Sequence, residues 1–237
     1  MPLPSAVDAC LPSQCALCRG WSLQRLCAPC LQRYALPVAR CRRCAIELPS
    51  GVEVCGTCLR DPPPFDAAIA AVDYAWPWDT LVQRFKFHAG LDLAAVLAGL
   101  LVDALQRAPA QPRPHCVLPI PLSDARLRAR GFNQAWEIAR RVARRQALRA
   151  DARLLLRPRD TPQQAGLPLA QRQANLRGAF AVEPRRRAEV AGRDLALLDD
   201  VMTTGATLAE ASRALERAGA RSVQVWVVAR TPAPPAR

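Results

Sequence analysis

Apolar positions change their spacing several times along this chain, and each change predicts a switch between strand and helix. Short apolar runs indicate buried strands, whereas apolar residues three and four positions apart indicate helices with one buried face. The predicted strands are 67–75, 115–121, 152–157, 195–200 and 222–230. The predicted helices are 78–87, 91–107, 132–148 and 207–218. Strands that alternate with helices predict an α/β fold whose sheet is mainly parallel and covered on both faces.

The first quarter of the chain follows a different pattern, which is set by cysteines. Eight of the ten cysteines form four Cys-x2-Cys pairs. One pair presents two thiolates to a tetrahedral cation, and two pairs complete a structural zinc site, so the pattern predicts two zinc ions. A redox role for a single pair stays open. The predicted zinc ligands are Cys15, Cys18, Cys27, Cys30, Cys41, Cys44, Cys55 and Cys58.

Two pairings of these four turns are possible. Neighbouring turns can share an ion, or the first turn can join the third while the second joins the fourth. The shorter loop closure favours neighbouring turns. Three prolines at 62–64 then stiffen the chain and end the cysteine pattern. We therefore predict a zinc-ribbon module at residues 1–62 and an α/β domain at residues 63–237.

The most apolar segment is too short to cross a membrane. In residues 91–105, ten uncharged residues separate Asp92 from Asp103, whereas a spanning helix needs roughly 20. The amino terminus has no basic cluster followed by an apolar stretch, so we expect no secretory signal. These features predict a cytoplasmic protein without membrane insertion.

Two adjacent carboxylates end the strand predicted at 195–200, and a turn of threonines and one glycine follows. Ligands of doubly wound sheets bind at the carboxyl ends of strands, where Asp199 and Asp200 lie. The first backbone amides of the next helix attract an anion, so phosphate fits the turn. The carboxylates suit sugar hydroxyls or a magnesium ion. A ribose with a 5-phosphate satisfies both parts, whereas a threonine-rich helix cap is the alternative.

The segment LALLDDVMTTGAT, residues 195–207, resembles the signature of the type I phosphoribosyltransferases, with Met202 at its variable position. These proteins bind phosphoribosyl pyrophosphate. The resemblance implies that the acidic pair contacts the ribose hydroxyls, with magnesium, and that the turn holds the 5-phosphate. The residues it implies are Asp199, Asp200, Thr203, Thr204, Gly205, Ala206 and Thr207.

A second segment, LPIPLSDARLRARGFNQAWEIA at 118–139, has arginines after a strand, where guanidinium groups can hold a pyrophosphate. It is similar to the pyrophosphate loop of the same superfamily. The string RGFNQA, the cysteine-rich start and the Thr-Thr-Gly turn together resemble the ComF family of bacterial competence proteins. An exposed arginine-rich turn is the alternative. The implied loop residues are Pro119, Ile120, Pro121, Arg126, Arg128, Arg130 and Gly131.

Residues 154–180 have the length and polarity of a loop that closes over a ligand. A disordered surface loop is the alternative. A similar segment of ComF relatives carries a residue series, and the residues that fit it are Arg159, Thr161, Gln164, Leu167, Arg172 and Asn175.

Lys86 is the only lysine among the 33 basic residues. A chain that uses arginine elsewhere is expected to keep lysine where a compact charge works better. We therefore predict that Lys86 contacts a ligand phosphate; a chance position on a helix surface is the alternative.

The net charge of +13 extends the functional prediction to nucleic acid. Between residues 126 and 159, eleven arginines outnumber two acidic residues. Arg141, Arg145 and Arg149 recur every four residues and would share a helix face that follows a nucleic-acid backbone. Solvated arginine without a partner is the alternative.

Two functions fit these features. The ComF resemblance implies a part in DNA uptake and natural transformation, with single-stranded DNA and other DNA-uptake proteins as candidate partners. The pocket then binds phosphoribosyl pyrophosphate while the basic face and the zinc ribbons handle DNA. The alternative is an active phosphoribosyltransferase that transfers phosphoribosyl to an unidentified base or nucleotide-related acceptor. The residues name neither an acceptor pocket nor a catalytic residue, which favours the binding function.

Overall fold

The structure, a computed structural model, describes residues 12–87, 90–158 and 178–233. Its contacts divide the chain into two compact units, Met1–Leu36 and Pro37–Arg237. The first unit contains the hairpin strands β1 (Ser13–Gln14) and β2 (Trp21–Ser22) and the helix α1 (Ala28–Tyr34). So small a unit has little apolar surface to bury, and it depends on other constraints such as a bound metal.

The second unit contains the α/β fold. Its described elements are α2 (Gly56–Arg60), β3 (Ala67–Asp73), α3 (Trp78–Phe87), α4 (Ala94–Arg107), β4 (Cys116–Pro119), α5 (Asp124–Arg130), α6 (Gln134–Arg145), β5 (Arg149–Ala150), β6 (Leu155–Leu156), β7 (Ala181–Val182), β8 (Asp194–Met202), α7 (Ala206–Arg217) and β9 (Ser222–Arg230). Short 3-10 turns precede α4 at Leu91–Leu93 and β8 at Pro184–Glu189.

The main sheet has five strands in the order β3-β9-β8-β4-β5, and every neighbouring pair is parallel. Leu195 and Leu197 of β8 join the apolar cluster that includes Leu208 and Leu215 of α7. Because side chains alternate along a strand, Leu198 faces the opposite side, where α4 and α6 supply the covering helices. The predicted α/β class with a mainly parallel sheet is confirmed.

The strand predicted at 152–157 differs from the structure. Only β6 forms there, and it pairs with β7 in a separate antiparallel hairpin. The edge of the main sheet is taken by β5 instead. The Asp151 carboxylate accepts hydrogen bonds from the backbone N–H groups of Arg153 and Leu154, and this turn separates β5 from β6. Local side-chain competition for backbone donors therefore breaks the apolar run.

The second cysteine segment packs on the sheet. The Arg42 carbonyl accepts a hydrogen bond of 2.8 Å from the Ala68 N–H, and Ala45 is fully buried in the apolar cluster that includes Phe65. Residues 37–62 therefore share a compact unit with the sheet. The domain boundary near residue 62 stays a prediction about which residues fold independently.

Asp151 also supports a prediction about stability in acid. Arg186 and Arg149 donate to its carboxylate. Burial acts in the opposite sense, but Arg186 and the backbone donors lower the pKa of Asp151 to about 2, against an ordinary value of 3.8. A lowered carboxyl pKa stabilises the fold above the ordinary pKa, and this contribution is lost as the pH falls towards 2.

We expect Asp151→Asn to lower the free energy of unfolding by about 2 kcal/mol at pH 7, because each pKa unit corresponds to about 1.4 kcal/mol. Urea unfolding at pH 7 and at pH 3 measures the difference, which should be smaller at pH 3. Asp103→Asn, at an exposed position of α4, is the matched control. A difference that is equal at both pH values would contradict the prediction.

Candidate functional site

The acidic pair and the turn after it lie where the carboxyl end of β8 meets α7. Residues 203–207, here named the β8–α7 turn, carry the predicted hydroxyls. Gly205 has a φ of +80°, a left-handed conformation that disfavours other residues, and it leads into the first turn of α7. The Thr204 hydroxyl accepts a hydrogen bond of 3.4 Å from the Ala206 N–H. The structure therefore brings the predicted residues into one turn at a helix amino terminus.

Lys86 lies at the acidic pair. Its Nζ atom is 2.7 Å from Oδ2 of Asp200, whose side chain is only 4% exposed. Burial raises the pKa of Asp199 well above its usual range, and the Asp200 carboxylate raises it further. Burial would also raise the pKa of Asp200, but the Lys86 ammonium outweighs it and lowers that pKa. The pair therefore holds one negative charge more easily than two.

This electrostatic state suits a cation or a hydroxyl donor. If Asp199 is to be charged as well as Asp200, the pair needs a positive partner in addition to Lys86. Magnesium is one such partner. Carboxylate oxygens are the donors that magnesium prefers, so Asp199 and Asp200 fit that ion. The contact of Lys86 with a ligand phosphate stays a prediction.

The predicted pyrophosphate loop forms a short helix, α5. Arg126 and Arg130 are four residues apart and share a helix face, whereas Arg128 is exposed between them. The Arg130 guanidinium stacks 4.9 Å from the centre of the Phe87 ring. Burial lowers the pKa of Arg130, while the Asp200 carboxylate acts in the opposite direction. Arg130 therefore lies within electrostatic reach of the acidic pair.

Asn133 connects the end of β4 to the start of α6, on either side of the predicted pyrophosphate loop. Its side-chain carbonyl accepts from the N–H groups of Ala135 and Trp136 and so caps α6. Its amide donates to the Ile120 carbonyl at 3.1 Å, just after Pro119 ends β4. An asparagine before an amphipathic helix is a readable cap signal, so sequence analysis could have singled it out.

Arg230, at the end of β9, is a further residue that sequence analysis missed. Its Nη1 atom donates to the carbonyls of Met202, at 3.2 Å, and of Thr203. Its Nε atom donates to the Cys44 carbonyl at 2.8 Å. The residue is only 8% exposed. No motif marks it, because it is one of 32 arginines and ends an apolar strand.

Two predicted features change or fall outside the structure. Helix α6 ends at Arg145 and Arg149 belongs to β5, so the expected shared face of Arg141, Arg145 and Arg149 is wrong. A turn at residues 146–147 follows the helix. Arg141 also pairs with Glu137, at 2.6 Å. The candidate lid residues all lie outside the described ranges, and these are Arg159, Thr161, Gln164, Leu167, Arg172 and Asn175.

The cysteines form two groups of four, made from neighbouring turns. One group is Cys15, Cys18, Cys27 and Cys30, and the other is Cys41, Cys44, Cys55 and Cys58. The sulfur atoms of each group lie within 4.8 Å of one another. The Sγ–Sγ distances are 3.6 Å between Cys18 and Cys27 and 3.7 Å between Cys44 and Cys55. Zinc–sulfur bonds of about 2.3 Å in a tetrahedron separate the sulfurs by about 3.8 Å, so both groups fit zinc.

The thiols of each group perturb one another. Burial alone would raise the pKa of Cys15, but backbone N–H donors, that of Cys27 first, lower it to about 6. Burial and the neighbouring thiols raise the pKa of Cys30 to about 12. Four crowded thiols therefore resist full ionisation unless a cation compensates them, as a zinc ion does. The prediction of neighbouring pairs is confirmed, and each group could hold one zinc ion.

One domain-family match defines the class of protein to which the chain belongs. Residues 96–237 match the sequence model of the phosphoribosyl transferase domain family. The match covers the sheet from β4 to β9, including the acidic pair and the β8–α7 turn.

Relatives extend the similarity to nearly the whole chain. The DNA utilization protein YhgH of Salmonella typhi is 34% identical, over 93% of this chain and 98% of the relative. YhgH of Escherichia coli K12 is 32% identical over the same shares. Competence protein F of Haemophilus influenzae Rd is 33% identical, over 92% of this chain and 96% of its own. The chain belongs to the ComF family of competence and DNA-utilization proteins. Within the described ranges, no helix has the length and apolarity that a membrane span requires.

Proposed function

We propose that this chain binds phosphoribosyl pyrophosphate with magnesium and acts in DNA uptake in the cytoplasm. The observation that carries the proposal is the end of β8, where a buried acidic pair precedes a Gly205-led turn at the amino terminus of α7. The family match at residues 96–237 supports the ligand. The names of the relatives, DNA utilization protein and competence protein, support the process.

Each part of the ligand has a complementary group in this site. The carboxylates of Asp199 and Asp200 accept hydrogen bonds from the ribose hydroxyls. The backbone N–H groups of the β8–α7 turn and the hydroxyls of Thr203, Thr204 and Thr207 bind the 5-phosphate. Magnesium, when bound, neutralises charge between the carboxylates and the ligand oxygens.

The pyrophosphate is bound by cations on the facing loop. Arg126 and Arg130 supply forked donors, and the effect of the Asp200 carboxylate on the pKa of Arg130, opposite to that of burial, supports this role. Lys86 bridges the two halves, because it pairs with Asp200 and can donate to a phosphate with its other protons.

Single-stranded DNA is the proposed partner in uptake. Arg144 and Arg145 are exposed at the end of α6, and exposed arginines attract a phosphate backbone. Trp76 is 68% exposed and offers a ring for base stacking, whereas Trp78 is buried and packs in the core.

Calorimetric titration of the zinc-loaded protein with phosphoribosyl pyrophosphate, with and without magnesium, tests the proposal. We expect magnesium-dependent binding that Asp199→Asn removes, because an amide offers no charge to magnesium. Asp103→Asn, on the exposed face of α4, should bind as the wild type does. Unchanged affinity of Asp199→Asn would refute the assignment of the site.

The same samples distinguish binding from transfer. Pyrophosphate release is followed with candidate bases and with single-stranded DNA. Release that needs an acceptor and disappears in Asp199→Asn would make the protein an active phosphoribosyltransferase. Tight binding without release supports the binding function.

A further inference from the structure

One buried arginine connects the second cysteine group to the β8–α7 turn. Arg230 Nε donates to the Cys44 carbonyl at 2.8 Å. Nη1 of the same guanidinium donates to the carbonyls of Met202 and Thr203, which lead into the turn. It also donates to the Thr231 carbonyl at 2.8 Å. A planar guanidinium thus joins three backbone carbonyls of the sheet edge to that of a predicted zinc ligand.

The guanidinium has little freedom to reorient. The residue is 8% exposed, and the Met202 carbonyl also accepts a hydrogen bond from the Thr231 N–H at 3.0 Å. Because the fork of arginine is rigid, a shift of one acceptor moves the donors that serve the others. The position of the Cys44 carbonyl therefore influences the carbonyls of Met202 and Thr203.

A second contact anchors the same segment to the sheet. Nη1 of Arg40 donates to the Ala45 carbonyl at 3.2 Å and pairs with Asp73 Oδ1 at 2.7 Å. Asp73 ends β3, the strand beside β9. The Ala45 N–H donates back to the Cys41 carbonyl at 2.8 Å, which closes the cysteine turn. The turn that contains Cys44 is thus attached at the carboxyl edge of the sheet, where the acidic pair also lies.

The shape of this turn depends on its thiols. The backbone N–H of Cys55 lies 3.3 Å from the Cys41 sulfur, so sulfur positions and backbone conformation are linked. The four sulfur atoms of this group lie within 4.8 Å of one another, so they do not stay together as thiolates without a cation. Loss of the metal is expected to release the turn, and with it the Cys44 carbonyl.

We propose that the second cysteine group, loaded with zinc, positions the β8–α7 turn through Arg230, so that zinc binding there and ligand binding at the turn strengthen each other. The inference rests on the proposed function for the identity of the ligand. Arg230 is a positioning residue, since its contacts are with backbone carbonyls. Thermodynamic linkage requires that each ligand raise the affinity of the other by the same factor.

The two cysteine groups provide a matched pair of variants. Cys27 and Cys55 are the equivalent residues, because each precedes a short helix and its N–H faces the first sulfur of its own group. Cys55→Ser and Cys27→Ser should each lower the bound zinc by one ion per chain. Only Cys55→Ser is expected to weaken phosphoribosyl pyrophosphate binding, by about tenfold, within the usual range of coupling between sites.

Hydrogen exchange supplies a readout that needs no ligand. Mass spectrometry of peptides covering residues 199–208 should show faster exchange in Cys55→Ser than in the wild type, and wild-type exchange in Cys27→Ser. Equal exchange in all three proteins would overturn the inference, whether or not the ligand binds. Failure of the wild type to bind phosphoribosyl pyrophosphate would instead refute the proposed function. The hydrogen-exchange comparison would then still test whether the second cysteine group positions the β8–α7 turn.

Arg230→Lys separates positioning from general stability. Lysine keeps the charge near the loop carbonyls, but a single ammonium cannot also reach the Cys44 carbonyl in the same geometry. We expect the variant to melt as a folded protein and to bind the ligand more weakly. Adding Cys55→Ser to it should then cause no further loss of affinity. A full additional tenfold loss in the double variant would show that zinc acts by another route and would overturn the role of Arg230.

Discussion

We expect Asp199→Asn to stabilise the protein. We expect Asp200→Asn, in contrast, to lower the free energy of unfolding by about 3 to 5 kcal/mol. The two substitutions are chemically identical and adjacent. Their opposite signs follow from Lys86, which compensates the charge of Asp200 at 2.7 Å.

The loss in Asp200→Asn comes from a charge left unpaired. The Asp200 side chain is 4% exposed and that of Lys86 is 19% exposed. Removing one partner of a buried ion pair leaves the other without compensation, which costs more than the pair itself contributes. Asp199 does not replace Asp200 fully, because burial, the largest cause of its raised pKa, persists in the variant and disfavours its charged form.

The gain in Asp199→Asn depends on pH. A carboxyl group whose pKa is raised in the folded state contributes stability below its ordinary pKa of 3.8, and this contribution is lost as the pH rises through the raised pKa. An amide avoids that loss and can still accept the hydrogen bond from the Asp200 N–H, which Asp199 Oδ1 accepts at 2.9 Å. The advantage of the variant should therefore grow with pH.

Urea unfolding of both variants at pH 5 and pH 8 checks these signs, with Asp103→Asn as the exposed control on α4. A gain for Asp199→Asn together with loss of ligand binding would show that the site carries its charge at the expense of stability. Destabilisation of similar size by both variants at pH 8 would contradict the assignment of the charged partner.

Loss of one zinc ion is expected to have unequal effects on the two units. Cys15→Ser and Cys41→Ser should each lower the zinc content from about two ions per chain to about one. Cys41→Ser should also lower the melting temperature of the sheet by more than 10 °C, because binding of a structural zinc ion contributes on the order of 10 kcal/mol to folding. Cys15→Ser should leave the melting of the sheet unchanged.

The reason is the packing of the second group. Cys41 and Ala45 are fully buried, and Ala45 belongs to the apolar cluster of the sheet. The first group instead belongs to the separate unit Met1–Leu36. Elemental analysis measures the zinc, and differential scanning calorimetry measures the transitions. If both cysteine groups formed an independent module ending near residue 62, neither variant would move the transition of the sheet.

Secondary structure with a strong period was predictable from the sequence. Helix α3 and strand β9 have the bounds that their patterns predict, 78–87 and 222–230. The pattern failed at 152–157, where β6 has only two residues in a separate hairpin. The Asp151 carboxylate, which breaks the run by accepting from the Arg153 and Leu154 N–H groups, is itself paired with Arg186, and that partner is 35 residues away and outside any local window.

The candidate site was predictable to a similar degree. The acidic pair and the β8–α7 turn are contiguous in sequence, so a motif and the rule for strand ends locate them. The role of Arg230 was not predictable, because the Cys44 carbonyl is 186 positions away. The pairing of Lys86 with Asp200 joins α3 to β8 and was not predicted, because the unusual lysine indicated only a contact with a ligand phosphate.

The sequence by itself determined the α/β class, the four-thiolate chemistry and the sequence of carboxylates, hydroxyls and glycine that follows an apolar strand at 199–207. Periodicity, spacing and residue chemistry are local properties, so they can be read from the sequence without knowledge of long-range contacts. Only the tertiary structure decided that Lys86 compensates one carboxylate of the pair, that the second cysteine group packs with the sheet, and that Arg230 joins that group to the β8–α7 turn. Those features depend on which distant segments meet when apolar surface is buried, and that is a property of the whole fold.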